Sequence, residues 1–172
     1  GRRGPGLRSG VELRLEAGAE LVFAASYEAY AGNEVSVIAE GSDRACIVGQ
    51  GLIGCAISGA GTIRAPGSAY VVGEDPEVGT HVPAKVRPRV LVLEDCESVT
   101  LSGVRIEDSP MWTIHIVGCR GVRVNGIALH NDRLLPNTDG IVIDRSVQVT
   151  IHNVPSHTAH DALGSTTPTP GA

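Results

Sequence analysis

The sequence reads RVLVLEDCESVTLSGVRI over residues 89–106, WTIHIVGCRGVRVNGIAL over residues 112–129 and DGIVIDRSVQVTIHNV over residues 139–154. These three stretches align as copies of one repeat. Each copy contains a strand-like run, a turn and a second run in which apolar and polar residues alternate. A unit of about 25 residues without a helical period cannot close a core alone and must stack on its neighbours. The sequence therefore predicts an all-β solenoid, a parallel β-helix.

Equivalent residues of stacked copies lie above one another at the strand spacing of about 4.8 Å, so the register predicts contacts. Cys96 and Cys119 are expected to form a buried ladder of small apolar side chains, without redox or metal chemistry. An earlier copy, CAISG at residues 55–59, aligns with residues 99–103. His115 falls in the middle of a predicted strand, where a packed, hydrogen-bonded histidine is expected.

The repeat organises the chain as one domain, with coils expected over residues 1–163. Residues 11–23 alternate cleanly and are expected to form the opening coil. Residues 73–88 are rich in Gly, Pro, Glu and Asp, so we expect a surface excursion that interrupts the repeat. Residues 164–172, rich in Ser, Thr and Pro, are expected to form a tail that adds no coil. Leucine-rich repeats have similar periods, but their LxxLxLxxN line is absent.

Composition excludes several classes of protein. The 172 residues suit one domain, and 14 basic residues against 19 acidic ones give a net charge of −5. With only three Tyr, one Trp and one Phe, a basic, base-stacking nucleic-acid surface is not expected. No apolar run reaches the roughly 18 residues that span a bilayer, so no membrane partner is expected. Four scattered cysteines without a CxxC pair predict neither a disulfide scaffold nor a zinc site, and no cofactor is expected.

Asp139 and Asp161 are the candidate catalytic pair. The third copy follows the second at a longer interval than the second follows the first, and the additional residues fall at 130–136, which predicts a loop just before the NTDG stretch at 137–140. HDAL at 160–163 aligns with the TDGI that contains Asp139, so the next coil is expected to bring the two carboxylates together. Like charges held close raise one proton affinity, which favours a functional interpretation. The alternative is that NTDG is a solvated turn, in which Asp-Gly is common.

The chain resembles the polygalacturonase-type glycoside hydrolases, glycoside hydrolase family 28, over about residues 10–163. The stretches that carry the resemblance are VELRLEAGAEL at 11–21, CAISGAGTI at 55–63, the run from 87 to 119, and above all PNTDGIVIDRSVQVTIHN at 136–153. The resemblance implies a right-handed parallel β-helix and inverting hydrolysis of an α-linked galacturonan or related polysaccharide. It also implies a secreted or periplasmic protein.

The resemblance implies roles for five residues. Asp139 matches the Asp of the family's Asn-Thr-Asp motif, and Asp161 matches the second Asp of a pair one coil later; both would hold and activate the attacking water, as inversion requires. His160 stands at the position of the family's general acid, where a histidinium can donate a proton near neutrality. Asn137 would orient the substrate or the carboxylates. Arg133 is a candidate substitute for the family's carboxylate-binding cations, with a plain surface charge as its alternative.

The family's later Gly-His-Gly and Arg-x-Lys motifs do not occur in the chain, which therefore resembles the N-terminal part of the family. We expect a C-terminally truncated β-helix, weakly active or inactive, whose uncapped last coil lowers stability or promotes self-association. The alternative functions are a non-catalytic glycan-binding module or truncated remnant, and a calcium-dependent polysaccharide lyase. The NTDG stretch and the carboxylate expected beside it in the next coil disfavour the lyase.

Overall fold

The computed structural model describes residues 6–166, which form eighteen short strands and two single-turn 3-10 helices at Tyr27–Tyr30 and Gly67–Tyr70. The strands, in chain order, are β1 (Glu12–Leu15), β2 (Glu20–Val22), β3 (Glu34–Ala39), β4 (Ser42–Gln50), β5 (Ala56–Gly59), β6 (Thr62–Arg64), β7 (Val71–Asp75), β8 (Thr80–Pro83), β9 (Arg89–Glu94), β10 (Thr100–Ser102), β11 (Arg105–Glu107), β12 (Ile114–Val117), β13 (Arg123–Asn125), β14 (Ala128–His130), β15 (Ile141–Asp144), β16 (Thr150–His152), β17 (Ser156–His157) and β18 (Leu163–Thr166).

Three sheets of stacked strands form the solenoid. Sheet 1 has the order β1-β5-β10-β13-β16, sheet 2 the order β2-β6-β11-β14-β17, and sheet 3 the order β3-β4-β9-β12-β15-β18. All pairings in these sheets are parallel except that of β3 with β4. The chain passes from sheet 3 to sheet 1, then to sheet 2, and returns to sheet 3 one coil further along. This arrangement confirms the expected parallel β-helix.

The observed register is the one that the aligned copies predict. In sheet 3, Leu91 pairs with Ile114, which pairs with Ile141, which pairs with Leu163. These partners occupy equivalent positions of successive copies. The register is kept even though the third copy follows the second at a longer interval. In sheet 1, Ile57 pairs with Leu101 in the register of the alignment. Their separation of 44 residues is close to two repeat units but spans a single coil, because the β7–β8 hairpin lies between them in the chain.

The core consists of aliphatic ladders contributed by all three sheets. The following members of the core are each at most 2% exposed: Ile57, Leu101 and Val124 from sheet 1, Ile63, Ile106 and Leu129 from sheet 2, and Leu91, Ile114 and Ile141 from sheet 3. Burial of one such side chain contributes about 1.5–3 kcal/mol. The chain has few aromatic residues, and branched aliphatic side chains therefore fill the narrow interior of the solenoid.

The turn between sheets 1 and 2 requires a left-handed backbone in each coil. Gly59, Gly103 and Gly126 occupy this turn with φ of 109°, 78° and 67°, and Asn153 takes the fourth place with φ of 49°. A Cβ on Gly103 would lie 2.3 Å from the Gly59 carbonyl oxygen of the neighbouring coil. Glycine suits this turn because it adopts positive φ without steric cost, and asparagine is among the few side chains that tolerate it.

The expected cysteine ladder is observed at the turn between sheets 3 and 1. Cys96 and Cys119 are 2% and 1% exposed, and the Cys96 amide lies 3.4 Å from the Cys119 sulfur. The Cys119 amide donates to the Ser146 hydroxyl at 2.9 Å, so Ser146 continues the ladder in the next coil. Both thiols are free.

Two hairpins depart from the repeat. Strands β3 and β4 form one, and it covers the outer face of sheet 3, where buried Glu94 accepts the Ser36 and Val37 amides at 3.1 and 2.9 Å. Buried Arg89 donates to the Val37 carbonyl oxygen at 2.6 Å. Strands β7 and β8 form the other, which begins at Val71 and so starts two residues before the excursion expected at residues 73–88. The excursion is thus an ordered antiparallel hairpin.

The last described strand, β18, pairs with β15 and reaches Thr166. It extends past the expected coil boundary at residue 163, because parallel pairing with β15 uses backbone groups and does not require apolar side chains. The remainder of the expected tail, residues 167–172, lies outside the described residues, as do residues 1–5. Among residues 6–166, no helix has the length and apolarity to cross a membrane.

Candidate active site

Trp112, Asp139 and Asp161 occupy the same register position in three successive coils, just before sheet 3. The Thr113 amide donates to the Asp139 carbonyl oxygen at 2.9 Å, and the Gly140 amide donates to the Asp161 carbonyl oxygen at 2.9 Å. These bonds extend the parallel ladder of β12, β15 and β18 by one step. The backbones of Asp139 and Asp161 are therefore direct neighbours, as the alignment of HDAL with TDGI predicts.

The Asp139 carboxyl group lies in a less hydrated environment than its partner. Asp139 is half-buried, whereas Asp161 and His160 are exposed. Burial raises the pKa of Asp139, the charge of Asp161 raises it further, and the nearby His160 opposes them. The Asp139 Oδ1 atom is buried and has no hydrogen-bond partner among residues 6–166. A carboxylate with raised proton affinity is suited to take a proton from water.

Gly140 allows the two coils to approach closely beside the carboxylates. A Cβ at this position would lie 2.5 Å from the Ala162 carbonyl oxygen and 2.9 Å from Leu129 Cδ1. Real side chains do not make contacts of this length. Gly140 is buried, and its place between Asp139 and the next coil differs from that of a solvated Asp-Gly turn.

Asn137 has a left-handed backbone and a fixed side chain. Its φ is 61°, and its Oδ1 atom accepts a hydrogen bond from Arg87 Nη2 at 2.9 Å. The Arg87 side chain is buried and also contacts the neighbouring loops. Sequence reasoning did not single out Arg87, although its separation of 50 residues from Asn137 equals two successive repeat intervals. That equivalence is a signal by which the repeat could have identified Arg87.

Asn131 and Thr138 hold the loop that carries the candidate residues. Buried Asn131 donates through Nδ2 to Thr113 Oγ1 at 2.7 Å and to the Thr138 carbonyl oxygen at 3.1 Å, and its Oδ1 accepts the Ser109 amide at 3.0 Å. The Thr138 hydroxyl donates to the Leu135 carbonyl oxygen at 3.1 Å. The middle residue of the Asn-Thr-Asp stretch is thus structural, and it faces the protein interior.

The β7–β8 hairpin contacts the same loop through His81. The His81 Nδ1 atom lies 2.8 Å from the Glu74 carboxylate, and Nε2 lies 3.0 Å from Asp132 Oδ2. The His81 amide also donates to the Leu134 carbonyl oxygen at 2.8 Å. Arg133 lies between these contacts on the loop, exposed, and its side chain makes no hydrogen bond or ion pair with the described residues. Nothing in the sequence indicated that the hairpin contacts this loop.

His115 and Trp112 pack against each other near the row of carboxylates. Their rings meet edge to face, with centroids 5.0 Å apart. His115 is buried, its Nδ1 lies 2.7 Å from Arg89 Nη1, and burial together with the Arg89 charge lowers the pKa of His115 to about 4. His115 is therefore the packed, hydrogen-bonded histidine that was expected.

No group of three or more His, Cys, Asp or Glu residues within 6–166 is arranged to hold a metal ion.

Comparison with known proteins places these features in a family. The family model for glycosyl hydrolases family 28 matches residues 7–167. A probable polygalacturonase of Arabidopsis thaliana is 35% identical over 77 residues, covering 45% of this chain and 17% of the relative. A probable endopolygalacturonase C of Aspergillus aculeatus is 29% identical over 142 residues, covering 80% of this chain and 33% of the relative. The chain thus spans a third or less of the length of these two relatives.

Solved structures share the fold. A polygalacturonase from Erwinia carotovora matches with a TM-score of 0.77 and 21% identity, over 95% of this chain and 46% of that structure. A family 28 exopolygalacturonase from Yersinia enterocolitica matches with a TM-score of 0.76 and 17% identity, over 95% of this chain and 37% of that structure. These neighbours are right-handed β-helices, which confirms the expected handedness.

Proposed function

The chain belongs to glycosyl hydrolases family 28, and we propose that it hydrolyses an α-linked galacturonan or related pectic polysaccharide with inversion. Family membership supports a hydrolase-type enzyme with a polysaccharide substrate. The observation that carries the finer proposal is the ladder that sets half-buried Asp139 beside Asp161 and His160. Two neighbouring carboxylates next to a proton donor are the groups that inverting hydrolysis uses.

In the proposed reaction, Asp139 and Asp161 hold one water molecule on the face of the sugar opposite the leaving group. Asp139 takes a proton from this water while the water oxygen bonds to the anomeric carbon. The bond from that carbon to the glycosidic oxygen breaks, and protonated His160 gives its proton to the departing oxygen. One water is consumed, and the two protons restore the charge balance once His160 and Asp139 re-equilibrate with solvent.

With His160 as the proton donor, the reaction is expected to be slow. A histidinium reaches further than an aspartic acid and carries a positive charge, so its geometry toward a glycosidic oxygen differs from that of a carboxylic acid. We therefore propose that the chain binds the polysaccharide and cleaves it slowly. A non-catalytic glycan-binding module is the second candidate, and the exposed His160 at the acid's position is the observation that favours it.

Arg133 supports an acidic sugar as the ligand. Its side chain is exposed on the loop that precedes Asn137, and it is not engaged by another described residue. An arginine fork matches the geometry of a carboxylate, such as that of galacturonate. Family 28 glycosidases are generally extracellular, and we propose that this protein acts in a secreted or periplasmic setting.

An assay of reducing ends released from polygalacturonate tests the reaction. We expect Asp139→Asn to lower kcat/KM by about 100-fold or more, because loss of a general base costs roughly 10²–10⁴-fold. Because burial raises the pKa of Asp139, wild-type activity should fall on the acid side at a higher pH than an ordinary aspartate would give. The matched control is Asp95→Asn, in an exposed turn of another coil, which should retain activity.

Equal background rates for wild type, Asp139→Asn and Asp95→Asn would contradict catalysis. In that case, a titration with trigalacturonate followed by NMR separates the second candidate from no function. Shifts confined to residues near Asn137 and Asp139 would support the glycan-binding module, and the absence of shifts would contradict both candidates.

A further inference from the structure

Arg87 is a buried cation that connects two consecutive loops at the candidate site. Arg87 is 6% exposed. Nη1 donates to the Pro110 carbonyl oxygen at 2.8 Å and to the Pro136 carbonyl oxygen at 2.7 Å, and Nη2 donates to Asn137 Oδ1 at 2.9 Å. Pro110 lies in the loop before β12, and Pro136 lies in the loop before β15. A single guanidinium thus fixes the spacing of the two loops that lead into Trp112 and Asp139.

Burying the charge of the Arg87 guanidinium costs free energy. Its contacts with the two loops are therefore not incidental. Burial lowers the pKa of Arg87, and the charge of Glu40 at the turn of the β3–β4 hairpin opposes this effect. Among residues 6–166, no carboxylate lies within salt-bridge distance of the guanidinium. A buried charge that binds only carbonyl and amide oxygens depends on all of those acceptors staying in place.

The contact with Arg87 also determines which way the Asn137 amide points. A guanidinium can only donate hydrogen bonds, so the Asn137 atom that faces Arg87 must be the oxygen. The Nδ2 group is then the outward end of the amide, and it has no hydrogen-bond partner among the described residues. Asn137 is partly exposed, so this end of the amide is open to a ligand that offers an oxygen acceptor.

We propose that Arg87 is a positioning residue that holds Asn137 with Nδ2 outward, where it donates a hydrogen bond to a hydroxyl or carboxylate oxygen of the saccharide bound beside Asp139. Arg87 itself does not touch the substrate. Without it, three buried or partly buried oxygen atoms lose their donor, and the left-handed residue Asn137 loses the contact that restrains it. The inference rests on the proposed function for the identity of the ligand, but the restraint on Asn137 can be measured without any ligand.

The first experiment measures the restraint alone. Amide hydrogen exchange at the hydrogen-bonded amides of Leu135 and Gly140, which flank Asn137, is compared in wild type, Arg87→Gln and Asn137→Asp. Arg123→Gln is the control because Arg123 is exposed on β13. We expect Arg87→Gln to accelerate exchange at these two amides at least tenfold relative to the control. Asn137→Asp keeps the oxygen that faces Arg87, so it should retain wild-type protection.

The second experiment measures ligand binding and turnover with trigalacturonate. We expect Arg87→Gln to raise KM, or the dissociation constant in an NMR titration, about tenfold at a temperature where the variant is folded. Arg87→Lys should recover part of the loss, since an ammonium reaches some of the same oxygen atoms. A merely structural role would lower the melting temperature without moving KM.

The outcomes distinguish the positioning role of Arg87 from the proposed function. If Arg87→Gln matches Arg123→Gln in both exchange and KM, the positioning role is wrong. If Asn137→Asp loses protection as Arg87→Gln does, the inferred orientation of the amide is wrong. If the wild type neither binds nor cleaves trigalacturonate, the proposed function fails, and the exchange comparison alone decides whether Arg87 holds Asn137.

Discussion

Among the single residues of the candidate site, similar groups acquire different properties from their surroundings. Asp139 and Asp161 are both aspartates in one row, yet Asp139 is half-buried with a raised pKa, while Asp161 is exposed. Desolvation raises the proton affinity of the half-buried Asp139. This difference in hydration is the reason we propose Asp139 as the base and Asp161 as the second group that holds the water.

Gly140 offers a test of the close approach at the site. We expect Gly140→Ala to destabilise the fold by about 1–3 kcal/mol, because the new methyl group overlaps the Ala162 carbonyl oxygen and a packed core must shift to admit it. Chemical denaturation measures this change. The control Gly164→Ala lies one coil later, where the nearest atom is 3.9 Å away, and its effect should be much smaller. Equal effects of the two changes would contradict the close approach.

Among the elements, the β7–β8 hairpin is coupled to the loop of the candidate site through a histidine. His81 bridges Glu74 of the hairpin and Asp132 of the loop, and its side chain is 17% exposed. The hydrogen bond and charge of Glu74, with the charge of Asp132, raise the pKa of His81. A protonated imidazole can donate from both nitrogen atoms at once, which is the form that satisfies both carboxylates.

This contact should depend on pH. Because the pKa of His81 is higher in the folded state, its stabilising contribution is fully present below the unfolded value of about 6.5 and is lost as pH rises through the folded value. We expect wild type to lose hydrogen-exchange protection at residues 131–136 between acidic pH and about pH 8.5, while His81→Gln shows little change. His152→Gln, exposed on β16, is the control. The same pH response in wild type and His81→Gln would contradict the prediction.

Across residues 6–166, each of the three sheets of the solenoid ends in a strand that pairs with no further described strand. Strands β16, β17 and β18 are the last members of the three sheets in the part of the chain that the structure describes. Leu163 on β18 is 56% exposed. Edge strands with free backbone groups and apolar side chains promote pairing with a second chain.

We therefore expect self-association through this end. Sedimentation velocity should show an average mass that rises with protein concentration, and Leu163→Lys should reduce the rise because a charge opposes edge pairing. Val78→Lys is the matched control: Val78 is 70% exposed but lies in the turn of the β7–β8 hairpin. A monomeric wild type, or equal association of the two variants, would show that this end does not mediate contact.

The pattern of the repeat was sufficient to predict the β-helix, the register of its coils, the cysteine ladder and the adjacency of Asp139 and Asp161. It was sufficient because each coil bonds only to its neighbours, so equivalent positions along the chain become fixed contacts across the sheet. Family membership was also evident from the motifs of the repeat. The catalytic roles of the site residues remain predictions.

The folded coordinates were needed to establish how Asn137 is oriented, that Arg87 holds it, and that His81 connects the hairpin to the loop. The separation of Arg87 from Asn137, 50 residues, equals two repeat intervals, so the repeat aligns these positions but does not show that the Arg87 side chain reaches across the intervening coil. The separation of His81 from Asp132 does not match the repeat, because His81 lies on a hairpin outside the coils that repeat regularly. Contacts of this kind depend on how the excursion and the loops fold back onto the solenoid, and no periodic pattern in the chain records that path.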